Sequence, residues 1–264
     1  MRNVRKRLSD RRGKSRYIRI MRNDHYADRV YRALHNAKDL TYFRVCVEET
    51  DLHIGAKSNL QQEALSAVIK ARSEIKAAIA DRPRFAVTFE PLKPHGTETP
   101  LVMSMLRAGN TSSVGPMASV AGAVAEYVGR ALLPFSDEVI VENGGDVFLY
   151  SKKERTVAVH AGDSPLSGCL AVAVLPAGGL GVCTSSGTVG HSISFGKTDA
   201  AMIIAKDCAL ADAAASHLGN LVQTPDNIEN ALDDTMKING VLGALVIIGD
   251  KLGVKGAVEL RVIK

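Results

Sequence analysis

Between residues 138 and 205 six short apolar runs follow one another, and this meander limits the fold more than any other feature of the chain. The runs lie at 138–141, 147–151, 155–160, 169–175, 180–184 and 200–205, each of strand length. Phe43, Val45 and Val47 alternate, as do Leu52, Ile54 and Ala56, which predicts a hairpin. Phe85, Val87 and Phe89 predict a further strand, and 241–249 with 256–263 a terminal hairpin. Helical spacing is confined to other stretches. Leu65, Val68, Ile69, Ile75 and Ile79 recur at helical intervals between Asn59 and Asp81, ahead of Pro83. A second long helix opens at Pro116 and runs to about Leu133, where Pro134 stops it. Further helices fit 25–38, 207–219 and 226–237. Strands in meanders, with helices segregated from them, predict an α+β class of antiparallel sheets rather than a doubly wound one.

With 264 residues the chain can form one sizeable core. No Trp and 5% aromatics leave that core to Ala, Val, Leu and Ile. Charge is unevenly spread. Residues 1–22 hold ten Lys or Arg against Asp10, while the remaining 242 hold 23 basic and 27 acidic groups. The reading is a basic arm over 1–24 and a single mildly acidic domain over 25–264. The arm offers only Tyr17 for stacking and matches no nucleic-acid signature, so a solvated arm is favoured over a nucleic-acid contact. No apolar run approaches the ~20 residues of a membrane span, and no apolar stretch follows the basic start. The expected setting is cytoplasmic, without a membrane partner. Cys46, Cys169, Cys183 and Cys208 have no CxxC or zinc-type spacing and are expected to be reduced. Cys183 reads as an inert small hydrophobe before a reactive thiol.

Four segments interrupt apolar runs with small and polar residues. Ser112–Ser119, at a helix start, suits an anion cradle through Ser113 and Gly115, or equally a helix cap at one of them. Glu142-Asn143-Gly144-Gly145-Asp146 allows close backbone approach, although as Asn-Gly-Gly-Asp it is first a good hairpin turn. The run Cys183–Ser192 packs five hydroxyls, two glycines and His191 into ten residues after a strand, which suits hydrogen bonding to a polar ligand through Thr184, Ser185, Ser186 and Gly187. Neither a P-loop nor a Gly-x-Ser-x-Gly elbow is present: five residues, not four, separate Gly190 from Gly196. Asp212 and Ser216, at i and i+4, share one helix face, and two hard oxygen ligands suit Mg²⁺. A hydrogen-bonded core pair fits that spacing as well. His217 faces elsewhere and reads as structural.

In order and content these segments resemble the ApbE-like superfamily, whose well-known members are FAD-dependent flavin transferases that attach FMN to a protein with Mg²⁺. The counterparts here are Gly122, Gly144-Gly145-Asp146, Thr184-Ser185 with His191, and Ala211-Asp212-Ala213 with Ser216. Closer still is a family of uncharacterised ApbE-like proteins of anaerobic bacteria and archaea. Its signatures are similar to Val114-Gly115-Pro116-Met117-Ala118, Val141–Asp146 and Thr184–Ser192. The resemblance runs from about Thr50 to the C-terminus. It implies an ApbE-like, T-fold-like architecture of antiparallel sheets with segregated helices. It implies Mg²⁺ at Asp212 and Ser216, and FAD or another nucleotide near 184–191. Ala121 stands where transferases carry a lysine, Glu126 where they carry an aspartate, and the segment after His191 lacks their Asp-Pro. Without that lysine a phosphate loses a charge-assisted contact worth ~1.5–3 kcal/mol.

The leading expectation is a Mg²⁺-dependent enzyme on a flavin or another nucleotide-like phosphate ester, with Asp146 and His191 orienting groups or exchanging protons and a protein acceptor as a second partner. The alternatives are a non-catalytic ligand-binding or accessory protein, and, last, a sulfur-assimilation role with Cys183 as persulfide carrier. The terminal hairpin and small-residue helices are compatible with a homodimer, on fold analogy alone.

Overall fold

Alternation of side chains across strands decides the architecture, because the central strands carry apolar residues on both faces. A computed structural model describes residues 37–187 and 196–263; the basic arm, the expected helix at 25–38 up to residue 36, and His191 lie outside them. Strands β1 (Thr41–Val47), β2 (Thr50–Ala56), β3 (Val139–Asn143), β4 (Asp146–Tyr150), β7 (Leu180–Ser185), β8 (Ala200–Ala205), β9 (Val241–Ile248) and β10 (Lys251–Gly256) form one eight-stranded sheet in the order β1-β2-β3-β4-β7-β8-β9-β10. Strands β5 (Arg155–Ala158), β6 (Leu170–Val174) and β11 (Glu259–Val262) form a second, ordered β11-β6-β5. Every pairing is antiparallel.

The large sheet sits between two cores. Ile54, Val141, Phe148, Cys183 and Ile203 point to the helices. Leu149, Val182, Met202, Ile204 and Leu245 point the other way, against Val157, Val172 and Val174 of the small sheet. The helices are α1 (Gln61–Asp81), α2 (Arg84–Val87), α3 (Pro100–Thr111), α4 (Val120–Leu132), α5 (Cys208–Leu221) and α6 (Ile228–Thr235). The α+β class, with helices segregated from antiparallel sheets, is as expected.

Four expectations change. Phe85–Phe89 is not a strand: Phe85 is buried, but Val87 and Phe89 are 71% and 54% exposed, and the Thr88 amide bonds to Arg84 O to close a helical turn. Pro83 stands just before that turn, so three alternating apolar residues mimicked a strand. Second, α3 is an additional element, started by Thr99, whose side chain accepts from the Val102 amide, and by Pro100 in the first turn. Third, the stripe α1 buries is Ala64, Ala67, Val68, Ala71 and Ile75, while Ile69 is 54% exposed. Alanines, not the larger residues, mark its inner face. Fourth, β9 forms its hairpin with β10, and β11 leaves to pair with β6. Gly256, at positive φ (77°), precedes the short link by which the chain changes sheet.

Ionic clamps fasten the sheet ends. Glu138, 5% exposed, accepts from Lys57 Nζ at 2.8 Å, Ser151 Oγ at 2.7 Å and the Arg155 guanidinium. Arg155 also holds Asp39 through two bonds of 2.9 and 3.0 Å. Burial would raise the Glu138 carboxyl, but these donors hold it down at about 2.

Candidate functional site

The site is built where the β3–β4 turn meets the start of α4 and the middle of α5. A two-residue turn joins Asn143 to Asp146, and Gly144 and Gly145 both have positive φ, 71° and 107°, the sign pattern of a type I′ hairpin. The Gly145 amide donates to Glu142 Oε1 at 2.9 Å. This geometry sets Asn143 and Asp146 side by side on the helix-facing side of the sheet. Asn143 Nδ2 donates to the Ala121 carbonyl at 3.0 Å, tying the turn to the start of α4. Asp212, on α5, accepts from the Gly122 amide at 2.9 Å and from the Ala121 amide. Its carboxylate thus caps α4.

Gly122 makes this approach possible. A Cβ there would lie 2.3 Å from the Cys208 carbonyl oxygen and 2.8 Å from Asp212 Cβ. Gly122→Ala is therefore expected to lose ~1–3 kcal/mol by pushing α4 off α5, together with the Asp212 cap; denaturant unfolding of the two proteins checks this. Glu126, one turn further along α4, accepts from the Cys208 amide at 2.7 Å and pairs with Arg130. Burial raises its carboxyl above the ordinary range.

Asp146 is 7% exposed, and its Oδ1 has no hydrogen-bond partner among the described residues. The Thr184 amide and the Cys183 thiol donate to its carboxylate. Burial first, and then the neighbouring Asp212 charge, push Asp146 well above the usual carboxylate range. Burial likewise pushes Asp212 up to about 7, against the opposing effect of its two amide bonds. Two carboxylates from different elements are thus held together, with one buried oxygen unsatisfied and no cation among the surrounding side chains described. Such an arrangement is stable only if protonated or if a cation joins it.

The remaining predicted residues separate. Register places Ser185, with Cys183, on the Asp146 face, and turns the Thr184 side chain to the opposite face beside Met202. Thr184 serves the site through its amide instead, a correction that follows from strand alternation. The Ser186 hydroxyl and the Gly187 amide both donate to Thr198 O. Ser216 is one turn beyond Asp212 on α5, partly exposed like Asp212 itself. Ser113 is exposed with φ 57°. Gly115 backs onto α2: a Cβ there would stand 1.9 Å from the Thr88 carbonyl oxygen. That close packing accounts for Gly115 without a ligand, and the amides at the α4 start are taken up by Asp212. His217 is half-buried and bonds the Ser112 carbonyl, as a structural residue does.

Cys183 and Cys208 are fully buried, their sulfurs 3.5 Å apart, and burial pushes both thiols up. A buried, protonated thiol is a poor nucleophile, which counts against Cys183 as a persulfide carrier. Two contacts had no clear sequence signal: Asn143 to Ala121 and Glu126 to the α5 start. Among the described residues no cluster of three or more His, Cys, Asp or Glu could hold a metal. No described helix is long and apolar enough to cross a membrane.

Comparison with known proteins agrees with the α+β fold. In fold, the chain is similar to the flavin transferase ApbE from Vibrio cholerae, with a TM-score of 0.55 at 11% identity over 82% of this chain and 96% of that one. It is also similar to the ApbE protein from Thermotoga maritima, with a TM-score of 0.53 at 14% identity over 81% and 96% of the two chains. In sequence it is 42% identical to a UPF0280 protein of Methanothrix thermoacetophila over 82% of this chain and 92% of the relative. It is 40% identical to one from Methanopyrus kandleri over 81% and 89%. A family model described as AbpE bacteria matches residues 32–254, and with these relatives it places the chain in the ApbE-like family that includes the UPF0280 proteins.

Proposed function

We propose that this chain is a Mg²⁺-dependent transferase-like enzyme for a flavin, FAD first, or another nucleotide-like phosphate ester. The observation that carries the reading is the pairing of buried Asp146 with Asp212, both raised in pKa, with one Asp146 oxygen unpartnered among the described residues. Asp212 and Ser216 would hold the metal, with Asp146 facing them. When bound, Mg²⁺ supplies charge neutralisation at a bridging phosphate oxygen. The chain does the rest. Gly144 and Gly145 keep the turn free of side chains, so a ligand can approach its backbone, and Ser185 presents a hydroxyl on the same face. Asp146 and His191 orient reacting groups and exchange protons, and a protein would be the acceptor of the transferred group. Four cysteines free of disulfides fit a cytoplasmic setting.

A second reading, ligand binding without turnover, is favoured by Ala121, which offers backbone groups to Asn143 and Asp212 where transferases carry a lysine. One experiment separates them. Thermal shifts with FAD, FMN, ADP and ATP, each with and without Mg²⁺, are expected to show a Mg²⁺-dependent stabilisation by one nucleotide that Asp212→Ala abolishes. Ligand at 100 times its Kd stabilises by ~2.7 kcal/mol. Stabilisation that ignores Mg²⁺, with no turnover of the bound nucleotide, selects the second reading. No shift with any nucleotide removes both.

A further inference from the structure

Helix α5 turns a different face away from Asp212. Leu210 and Asp212 are two residues apart, so their side chains leave the helix about 200° apart. On the Leu210 side, α3 and the start of α5 border a half-open pocket of about 490 Å³, within the range of small-molecule sites. Its apolar floor includes Met103 and Leu210. Arg107, Thr111 and Asn239 stand at its rim, all three exposed.

The charges in this pocket are unequally committed. Glu98 accepts from the His95 and Gly96 amides at 2.6 and 2.8 Å. Asp207 caps α5 by accepting from the Leu210 amide at 2.8 Å. Arg107 has no hydrogen-bond or ion-pair partner among the described residues. Its fork of donors is pre-shaped for a planar or tetrahedral anion, and the Thr111 hydroxyl and the Asn239 amide add further donors.

We infer that this pocket is a second ligand site, taking a compact organic anion: a carboxylate or phosphate head on an apolar body that lies over Met103 and Leu210. This inference is independent of the reading of Asp146 and Asp212. Calorimetric titration without Mg²⁺ tests it, using phenyl phosphate, benzoate and benzylamine on the wild type, Arg107→Gln and Asp212→Asn. Arg107 is exposed, so its variant should fold. Saturable binding of phenyl phosphate or benzoate is expected, weakened by roughly tenfold or more in Arg107→Gln, unchanged in Asp212→Asn, and not shared by benzylamine. Which of the two anions binds more tightly identifies the head group. No saturable binding by ~10 mM, equal binding by Arg107→Gln, loss of binding in Asp212→Asn, or benzylamine binding as tightly would each overturn it.

Discussion

Glu138→Ala is expected to destabilise the chain by about 3 kcal/mol, seen as a drop of roughly 6–12 °C in the unfolding midpoint. The carboxylate collects Lys57 from the end of β2, Ser151 from the end of β4 and Arg155 from β5. Removing it leaves Arg155, whose side chain is 10% exposed, without one of its two acids. The estimate sits at the low end of the usual ~3–5 kcal/mol for a broken buried pair because Asp39 stays on Arg155. The pH dependence has a fixed sign. Glu138 is depressed from 4.5 to about 2, so its contribution is present above about pH 4.5 and lost as pH falls through 2. Urea titrations of both proteins at neutral and acid pH would show the gap between them closing on acidification; a constant gap would contradict the clamp.

Asp212→Asn is expected to act in the opposite direction on stability while removing the response to metal. The Asp212 carboxyl is raised from 3.8 to about 7. A raised group favours the folded state below its ordinary value, and that contribution is lost as pH rises through about 7. Without metal, the wild type should therefore weaken between pH 5 and pH 8, while the Asn variant should not. Asn keeps an oxygen for the Gly122 amide. At pH 8 the gain is expected on the order of 2 kcal/mol, about half of what the full displacement is worth, since Asp212 is partly exposed. Added Mg²⁺ should erase the difference by stabilising only the wild type. A variant less stable than wild type at pH 8 without Mg²⁺ would show that the carboxylate is a structural cap alone.

How much of this was legible depended on the range of the interaction. Alternation and breakers located nearly every strand of the large sheet, because a period of two with turn residues at each end is written locally. The segments Gly144-Gly145-Asp146, Thr184-Ser185 and Ala211-Asp212-Ala213 stand out as small and polar residues interrupting apolar runs, and their order carries the ApbE-like resemblance. What failed was non-local. Phe85-Ala-Val-Thr-Phe89 alternates like a strand, yet pairs with no strand among the described residues and coils behind Pro83. The α1 stripe hides in alanines, which a search for large apolar residues passes over. The roles of Gly115 and Gly122 come from the Thr88 and Cys208 carbonyls, which lie 27 and 86 residues away in sequence, and no local pattern reports them. Strand alternation turns the Thr184 side chain to the face opposite Asp146, which a run of hydroxyls read without its sheet partners does not report.

The central claim is that Asp212 and Ser216 hold a cation in the field of the neighbouring Asp146 carboxylate. Its most direct test is a calorimetric Mg²⁺ titration at pH 8 of the wild type, Asp146→Asn and Asp212→Asn, without nucleotide. One saturable site in the wild type, lost in both variants and weakening as pH falls below about 7, is the predicted result. Equal Mg²⁺ binding by all three proteins, or none by the wild type even at millimolar metal, would mean that the pair is a protonated structural contact between the β3–β4 turn and α5.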